Sequence, residues 1–429
     1  VIAGNRVPDG ADPIATVYAG HQFGSWNPRL GDGRAILLGE VIGNDDERYD
    51  IQLKGSGLTP FSRQGDGRAP LGPVLREYIV SEAMAAFGIP TSRTLAAVTT
   101  GDPVFRETRL DGGILARVAK SHIRIGTLQF FASMNDIDGL KLLLDHVIER
   151  HYPDAANSEN PVATMFEQIM RRQAALVARW QGVGFIHGVM NTDNMLLSGE
   201  TIDYGPCAFM DAFDSAAVYS SIDHGGRYAY RNQPAIAHWN LACLAQALLP
   251  FFADDDDAAV ELAQAALERF PEMFLQEHIS VMRAKLGLTT ADEGDEELVQ
   301  DFLDLLQRSR SDFTLAFRRL GELTVGATEI EALFDFPESI ASWLERWRQR
   351  CARETISDAD RHRAMMSVNP AFIPRNHLVE EAISQAYAGD FSLFHRLNER
   401  LSIPFEFDAA DAALAIPPEP DQVVHQTFC

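Results

Sequence analysis

Asn194, Asp203 and, between them in the chain, two apolar β-edges form the stretch of this 429-residue sequence whose residue types and spacing most directly admit metal chemistry. The stretch is His187–Gly205, HGVMNTDNMLLSGETIDYG. It reads as a short turn, then Met195-Leu196-Leu197 and Thr201-Ile202 around a Ser198-Gly199 turn. Asn194 and Asp203 flank this predicted hairpin, so their side chains are expected at one end of it. A side-chain carbonyl and a carboxylate on rigid edges make a hard-oxygen site suited to Mg²⁺ carrying a phosphate.

The arrangement resembles the active centre of protein-kinase-like folds. There an Asn closes the catalytic loop and an Asp opens a DFG-type motif, here Asp203-Tyr204-Gly205. In small-molecule kinases of that fold the loop runs His-Gly-Asp, with the Asn five residues after the Asp. Five residues before Asn194 stands Val189, so the usual base position carries an apolar side chain. A carboxylate occurs instead at Asp193, beside the metal Asn. The metal pair is kept and the base is moved. The stretch, together with the motifs that follow, is similar to the selenoprotein O family, pseudokinase-like proteins that attach AMP to protein hydroxyls.

The elements that would position these groups lie upstream. Gly31-Asp32-Gly33-Arg34 leads into a strand candidate at Ala35–Val41. Such a turn lets backbone N–H groups approach a phosphate, and Arg34 adds charge, although a GDG turn alone more often closes a hairpin. Tyr49–Lys54 follows an Asn44-Asp45-Asp46 turn and ends in Lys, like the third strand of a kinase N-lobe, whose Lys holds nucleotide phosphates. Arg63-Gln64-Gly65-Asp66-Gly67-Arg68-Ala69 nearly duplicates Arg29-Leu30-Gly31-Asp32-Gly33-Arg34-Ala35. Two copies do not make a solenoid. They suggest two backbone nests with adjacent arginines, enough to surround a triphosphate from both sides.

A helix is expected next, with Pro73 at N1, Gly88 at C′ and Pro90 beyond. Leu75, Tyr78, Ile79, Ala83, Ala86 and Phe87 trace its apolar face. Glu77 lies beside that face, where the αC Glu of a kinase would pair with Lys54. Strands are expected at Thr94–Val98 and Ile114–Ala119, with a turn at Asp111-Gly112-Gly113 between them. Arg117 falls inside the second strand, and Arg124 follows it. A mid-strand Arg on a covered face needs a partner, either a phosphate or a buried Glu. The family resemblance implies that both arginines contact nucleotide phosphates, in a pose where base and γ-phosphate exchange places.

From Thr127 the pattern becomes helical. Asp138–His151 and Pro161–Gly182 are long periodic segments, the second starting on an N1 proline and leading into the catalytic loop. Pro206–Pro234 is turn-rich, as an activation-type segment would be, and Trp239–Phe252 reads as an apolar helix. The Asp254–Asp257 run reads as a helix cap or a solvated patch, and Asp292–Glu297 as an acidic loop. Asn369–His377 (NPAFIPRNH) again looks like the selenoprotein O family, with Asn376 a candidate N-cap. The expectation is an α+β, protein-kinase-like two-lobed fold. Its mixed-sheet N-lobe would span 1–126 and its helical C-lobe 127–429.

Bulk properties narrow the function. A net charge of -24 argues against nucleic acid as a partner. Residues 51–124 nevertheless hold ten Lys/Arg against six Asp/Glu, a local +4 that suits a polyphosphate site. No apolar run approaches a bilayer span and no signal-peptide pattern is present, so no membrane partner is expected. The chain starts at Val1 rather than Met, and the natural N-terminus, with any targeting peptide, is expected to be missing. Four cysteines make neither a disulfide framework nor a zinc module. The resemblance implies a Cys207–Cys429 disulfide, which in a reducing cytosol would act as a switch. Cys243 reads as a buried hydrophobe.

Together these readings predict a monomer that binds ATP with Mg²⁺ (or Mn²⁺) and transfers AMP to Ser, Thr or Tyr hydroxyls of proteins, releasing pyrophosphate. Asp193 would be the base and Asn194 with Asp203 the metal ligands. Lys54, oriented by Glu77, would bind phosphates with Arg34, Arg117, Arg124 and the nests at Gly31–Gly33 and Asp66–Gly67. The alternatives are a conventional phosphotransferase, UMP transfer from UTP, and a non-catalytic nucleotide-binding scaffold. The compartment would be cytoplasmic in a bacterium and mitochondrial in a eukaryote.

Overall fold

The structure is a computed structural model that describes residues 1–326 and 330–428. It is α+β. The chain opens with an antiparallel hairpin, β1 (Val17–Gln22) and β2 (Ser25–Gly31). β3 (Ala35–Ile42), β4 (Arg48–Lys54) and β5 (Ala69–Pro70) precede α1 (Leu71–Ala86), and β6 (Arg93–Phe105) and β7 (Arg109–Ala119) follow it. β3, β4, β7 and β5 pair in that order, and β6 also pairs with β7, giving an antiparallel five-stranded sheet. Gln52 stands opposite Arg117 in this sheet, and Lys54 lies two residues further along the same strand. Because side chains alternate along a strand, these three polar groups share one face.

α1 covers that face. It starts two residues earlier than the sequence suggests, so Pro73 is at N3 instead of N1. The first-turn N–H groups have no intrahelical acceptor, so a proline is tolerated there as well. Gly88 does take the left-handed C′ conformation, at φ +75°. The predicted turn at Asp111–Gly113 is not a turn. β6 and β7 run on to Phe105 and Arg109, and Arg106–Thr108 makes the connection. The glycines serve a close approach instead, since a Cβ on Gly112 would lie 2.6 Å from Thr100 Oγ1.

The remainder is mainly helical: α2 (Ile125–Ser133), α3 (Ile137–His151) and α4 (Pro161–Gly182), then β8 (Phe185–Ile186) and β9 (Ala208–Phe209) as a small antiparallel pair. α4 has the bounds its N1 proline and apolar period predict, and Phe166, Ile169, Val177 and Trp180 on it are fully buried in the largest apolar cluster. Each such side chain contributes about 1.5–3 kcal/mol by its removal from water. α5 (Gln233–Leu248) begins six residues before the predicted start, at Gln233-Pro234. Asp255 caps α6 (Asp256–Leu267), and α7 (Phe270–Lys285) follows. α8 (Asp295–Ser309) takes in the end of the predicted acidic loop as its first turn, where carboxylates complement the helix dipole. α9 (Phe313–Leu323), α10 (Pro337–Cys351), α11 (Asp358–Met366), α12 (Asn376–Tyr387) and α13 (Ser392–Leu401) complete the order. Among the described residues no helix is long and apolar enough to cross a membrane.

The His187–Gly205 stretch departs most from expectation. Its two edges do not pair with each other. Leu196 bridges Arg124, with Ile125 N donating to Met195 O at 3.0 Å, while Thr201 bridges Thr91. Each edge satisfies its backbone against a different neighbour, so the loop is held from both sides. Asn376 is not the cap of α12 either. It is the first helical residue, and its amide donates to Phe209 O at 2.8 Å while accepting from Phe209 N at 3.3 Å.

Candidate functional site

A cleft of about 540 Å³ lies between the sheet, the two Gly-Asp-Gly turns and the 191–203 loop. Both repeated turns reach it: Gly31, Gly33 and Arg34 from the first copy, Asp66, Gly67 and Arg68 from the second. Lys54, Arg117, Arg124, Asp193, Asn194 and Asp203 line it as well. Of the residues predicted to serve catalysis, nucleotide or metal, Glu77 alone is absent from the lining, because it sits behind Lys54 and Arg117.

Lys54 Nζ is 2.7 Å from Glu77 Oε2 and 2.7 Å from Asp203 Oδ1. Arg117 joins the same pair, donating through Nε to Glu77 Oε1 and through Nη2 to Asp203 Oδ1 at 2.8 Å. Its Nη1 reaches Gln52 Oε1 at 3.2 Å. Two cations and two carboxylates therefore balance, with Lys54, Glu77 and Arg117 buried and Asp203 facing the cleft. Burial alone would raise the Glu77 and Asp203 carboxyls, but Lys54 and Arg117 outweigh it for both, and Arg34 helps at Asp203. Asp203 is held well below the usual carboxylate range. It adopts φ +64°, a left-handed conformation that Asp tolerates better than most residues.

Arg124 acts differently. Its guanidinium lies 4.5 Å from the centre of the Tyr18 ring, donates to Asp193 O at 3.0 Å and reaches Asp32 Oδ1 at 3.2 Å. Asp32 in turn accepts from Thr16 N and Oγ1 at 3.2 and 2.5 Å. Arg124 thus ties the first Gly-Asp-Gly turn to the loop that carries Asp193.

That loop is a single 3₁₀ turn, Thr192–Asn194, held by β1 and the residues after it. His21 N donates to Thr192 Oγ1 at 2.8 Å, and Phe23 N to Asn191 Oδ1 at 2.9 Å. Gln22 Nε2 donates to Asp193 Oδ2 at 3.2 Å, while Asp193 Oδ1 is buried with no partner among the described residues. Burial pushes the Asp193 carboxyl up, against the opposing pull of Arg124 and Gln22. Gly20 allows this proximity, since a Cβ there would stand 3.1 Å from both Asp193 Oδ1 and Thr192 Oγ1. The sequence reading does not single out Gln22, Gly20 or Tyr18, and it names Asp32 only as part of its turn. The available signal was the Tyr-Ala-Gly-His-Gln run itself, small residues between polar and aromatic ones.

Asn194 Nδ2 donates to Val189 O at 3.1 Å, which commits its nitrogen and leaves its carbonyl oxygen uncommitted. Asp203 takes both its cations on Oδ1, so Oδ2 also has no hydrogen bond from the described residues. One neutral and one anionic oxygen then remain for a divalent cation, and the donor set fits one completed by phosphate oxygens. His187 is buried with Nε2 3.0 Å from Ile202 O, and burial lowers its pKa, so it is a neutral structural group.

Cys207 is buried, has no disulfide partner among the described residues, and burial pushes its thiol up to about 12. Its expected partner Cys429 lies outside the described residues. The tail nevertheless docks beside it: Thr427 Oγ1 donates to Pro206 O at 2.6 Å, and Thr427 N to Tyr219 O at 2.7 Å. Cys243 is buried, as its apolar helix predicts.

A family model described as protein adenylyltransferase SelO matches residues 2–402. The chain belongs to this family. Among relatives of this SelO-family chain is a protein nucleotidyltransferase YdiU of Rhizobium etli, 57% identical over 433 residues, covering 100% of this chain and 87% of the relative. Proteins of the same name from Bradyrhizobium diazoefficiens and Rhodopseudomonas palustris are 58% and 57% identical over 432 residues, each covering 100% of this chain and 88% of the relative. The SelO-family chain is thus a nucleotidyltransferase, as its motifs imply.

Proposed function

We propose that the protein transfers AMP from ATP to Ser, Thr or Tyr hydroxyls of other proteins. The observation that carries this reading is the exchange of roles between Val189 and Asp193. At the position of a kinase base, Val189 offers only a backbone carbonyl, which orients Asn194. Among the described residues Asp193 is the carboxylate within the cleft that carries no salt bridge, and its raised pKa suits a proton acceptor. The acceptor oxygen bonds to the α-phosphorus, the bond from that phosphorus to the bridging oxygen breaks, and pyrophosphate leaves. The hydroxyl proton passes to Asp193. Asn194 and Asp203 would hold the divalent cation, which supplies neutralisation of phosphate charge when bound. Lys54, Arg34, Arg117 and Arg124 orient the triphosphate, and Glu77 fixes Lys54.

The fold reading accompanies the functional one: a kinase-like pair of lobes, 1–126 and 127–429, with α1 in the place of αC. Its support is the Lys54–Glu77 pair beneath an antiparallel sheet. The docking of Thr427 beside Cys207 supports a Cys207–Cys429 bond that restrains the tail when oxidised. Equal transfer by wild type and Cys429→Ser under oxidising and reducing conditions would remove that idea.

The deciding experiment supplies ATP labelled at the α- or the γ-phosphate, with Mg²⁺ and a generic acceptor protein. Only the α-label is expected on protein, and Asp193→Asn should lower the rate by about 10² to 10⁴. Transfer of the γ-label would establish a conventional kinase. Faster labelling from α-labelled UTP would change the donor and leave the mechanism intact.

A further inference from the structure

Asp193 lines two cavities. Besides the nucleotide cleft there is a neighbouring pocket of about 340 Å³, which shares Tyr18, Gln22, Gly31 and Asp193 with it. The walls that belong to the second pocket include Arg29, Pro60, Phe61 and Arg63. Arg29 and Arg63 are the leading arginines of the two repeats, just as Arg34 and Arg68 are the trailing ones. The repeats therefore send one arginine of each copy into the nucleotide cleft and the other into the second pocket.

The arginines of the two cavities differ in their engagement. In the cleft Arg34 lends its charge to Asp203 without an ion pair among the described residues, and Arg68, Arg106, Arg117 and Arg124 all have carboxylate partners. Among the described residues, the guanidinium groups of Arg29 and Arg63 have none, and both residues are exposed. Their backbones are nevertheless fixed. Thr59 Oγ1 donates to Asp32 O at 2.6 Å and Ser62 Oγ to Gly33 O at 2.5 Å, bolting the second loop onto the first. Arg63 itself is held at φ +55°. Phe61 presses against Gly31 between the two cavities.

A base shared by two cavities is placed where two substrates meet. Resting on the AMP-transfer reading, we propose that the second pocket is the port for the acceptor protein. We further propose that Arg29 and Arg63 select hydroxyls with an Asp or Glu close by in the chain. Phe61 and Pro60 would receive an apolar neighbour of the acceptor. The protein's net charge of -24 repels acidic partners at long range, so recognition would be confined to these two arginines within about a Debye length.

The test uses reduced full-length protein and short fluorescent peptides with a single Thr, flanked by Glu in one and by Lys in the other. Peptide binding is read by anisotropy with a non-hydrolysable ATP analogue present, and transfer is read from α-labelled ATP. The Glu peptide is expected to bind about tenfold more tightly, the scale of two half-exposed ion pairs. Arg29→Glu/Arg63→Glu should invert the preference and leave ATP affinity in place. Equal binding of the two peptides, or a preference that survives charge reversal, would overturn the proposal. A parallel loss of ATP affinity would also overturn it, by assigning the arginines to the triphosphate. If charge-dependent binding occurs but no α-label reaches any acceptor, the port stands and the AMP-transfer reading fails.

Discussion

The two copies of Arg-x-Gly-Asp-Gly-Arg-Ala have almost the same sequence and opposite environments. In the first, Asp32 is 3% exposed and accepts hydrogen bonds from Thr16, Gln52 and Arg124. In the second, Asp66 is partly exposed and takes a bidentate pair from Arg106 at 2.9 and 3.0 Å. Both copies bring glycines and a trailing arginine to the cleft. Local sequence accounts for the turn and the arginine it presents. What lies behind the turn decides whether its carboxylate is an internal strut or an accessible group. The first copy is backed by β4 and by the loop of Asp193, and the second mainly by the tip of the β6–β7 hairpin.

The largest effect should come from breaking this asymmetry at Asp32. In Asp32→Ala, Arg124 stays buried with only a carbonyl and the Tyr18 ring as partners. Leaving a buried ion without its counter-charge costs about 3–5 kcal/mol. Asp66→Ala removes a partly exposed pair, worth roughly 0–1 kcal/mol. Denaturant midpoints for the two variants should therefore differ clearly. Equal midpoints would mean that the copies are interchangeable.

The glycines sharpen the same contrast at a smaller scale. A Cβ on Gly31 would lie 2.3 Å from the Phe61 ring, whereas one on Gly65 approaches nothing closer than Ser62 O at 3.1 Å. Gly31→Ala is expected to part the two loops at a cost of about 1–3 kcal/mol and to lower transfer; Gly65→Ala should do little. Adding Phe61→Ala removes the clash, so the Gly31→Ala/Phe61→Ala double variant should regain stability relative to Gly31→Ala. A strictly additive double-mutant cycle would sink this account.

This contrast also marks how far the sequence could be read. β3, β4 and α4 were legible because their periods and end signals are local, and the cleft residues because motif order is local too. Asp32 and Asp66 have near-identical neighbours in the chain, so nothing local tells which one is buried. Gln22 and Asp193 are 171 residues apart. The 195–202 edges kept their positions but paired outward, because periodicity specifies a strand and not its partner. The Asn369–His377 segment showed no chemistry for a similar reason. Its polar residues are clamps: Asn369 holds Lys285 Nζ at 2.8 Å, Arg375 pairs with Asp211 and Asp312, and Asn376 binds the backbone of β9. Those partners lie between 63 and 167 residues away.

The smallest effect is expected at Gln22, whose amide donates to Asp193 where the cleft meets the proposed acceptor pocket. Burial raises this carboxyl, and the hydrogen bond from Gln22 partly counteracts that by favouring the charged form. As the proposed base, Asp193 must be ionised to act, so transfer is expected to fall as pH drops through its pKa, above the ordinary Asp value of about 3.9. Gln22→Leu withdraws the donor, which raises the pKa further and moves the acid limb of the rate profile to higher pH. One long hydrogen bond of 3.2 Å at a partly buried site should give a shift of about one pH unit or less. Gln22→Glu adds a negative neighbour and should move the limb further in the same direction. A Gln22→Leu variant with a lower rate but an unmoved acid limb would mean that Gln22 only shapes the pocket. Asp193 would then owe its pKa to burial and Arg124 alone.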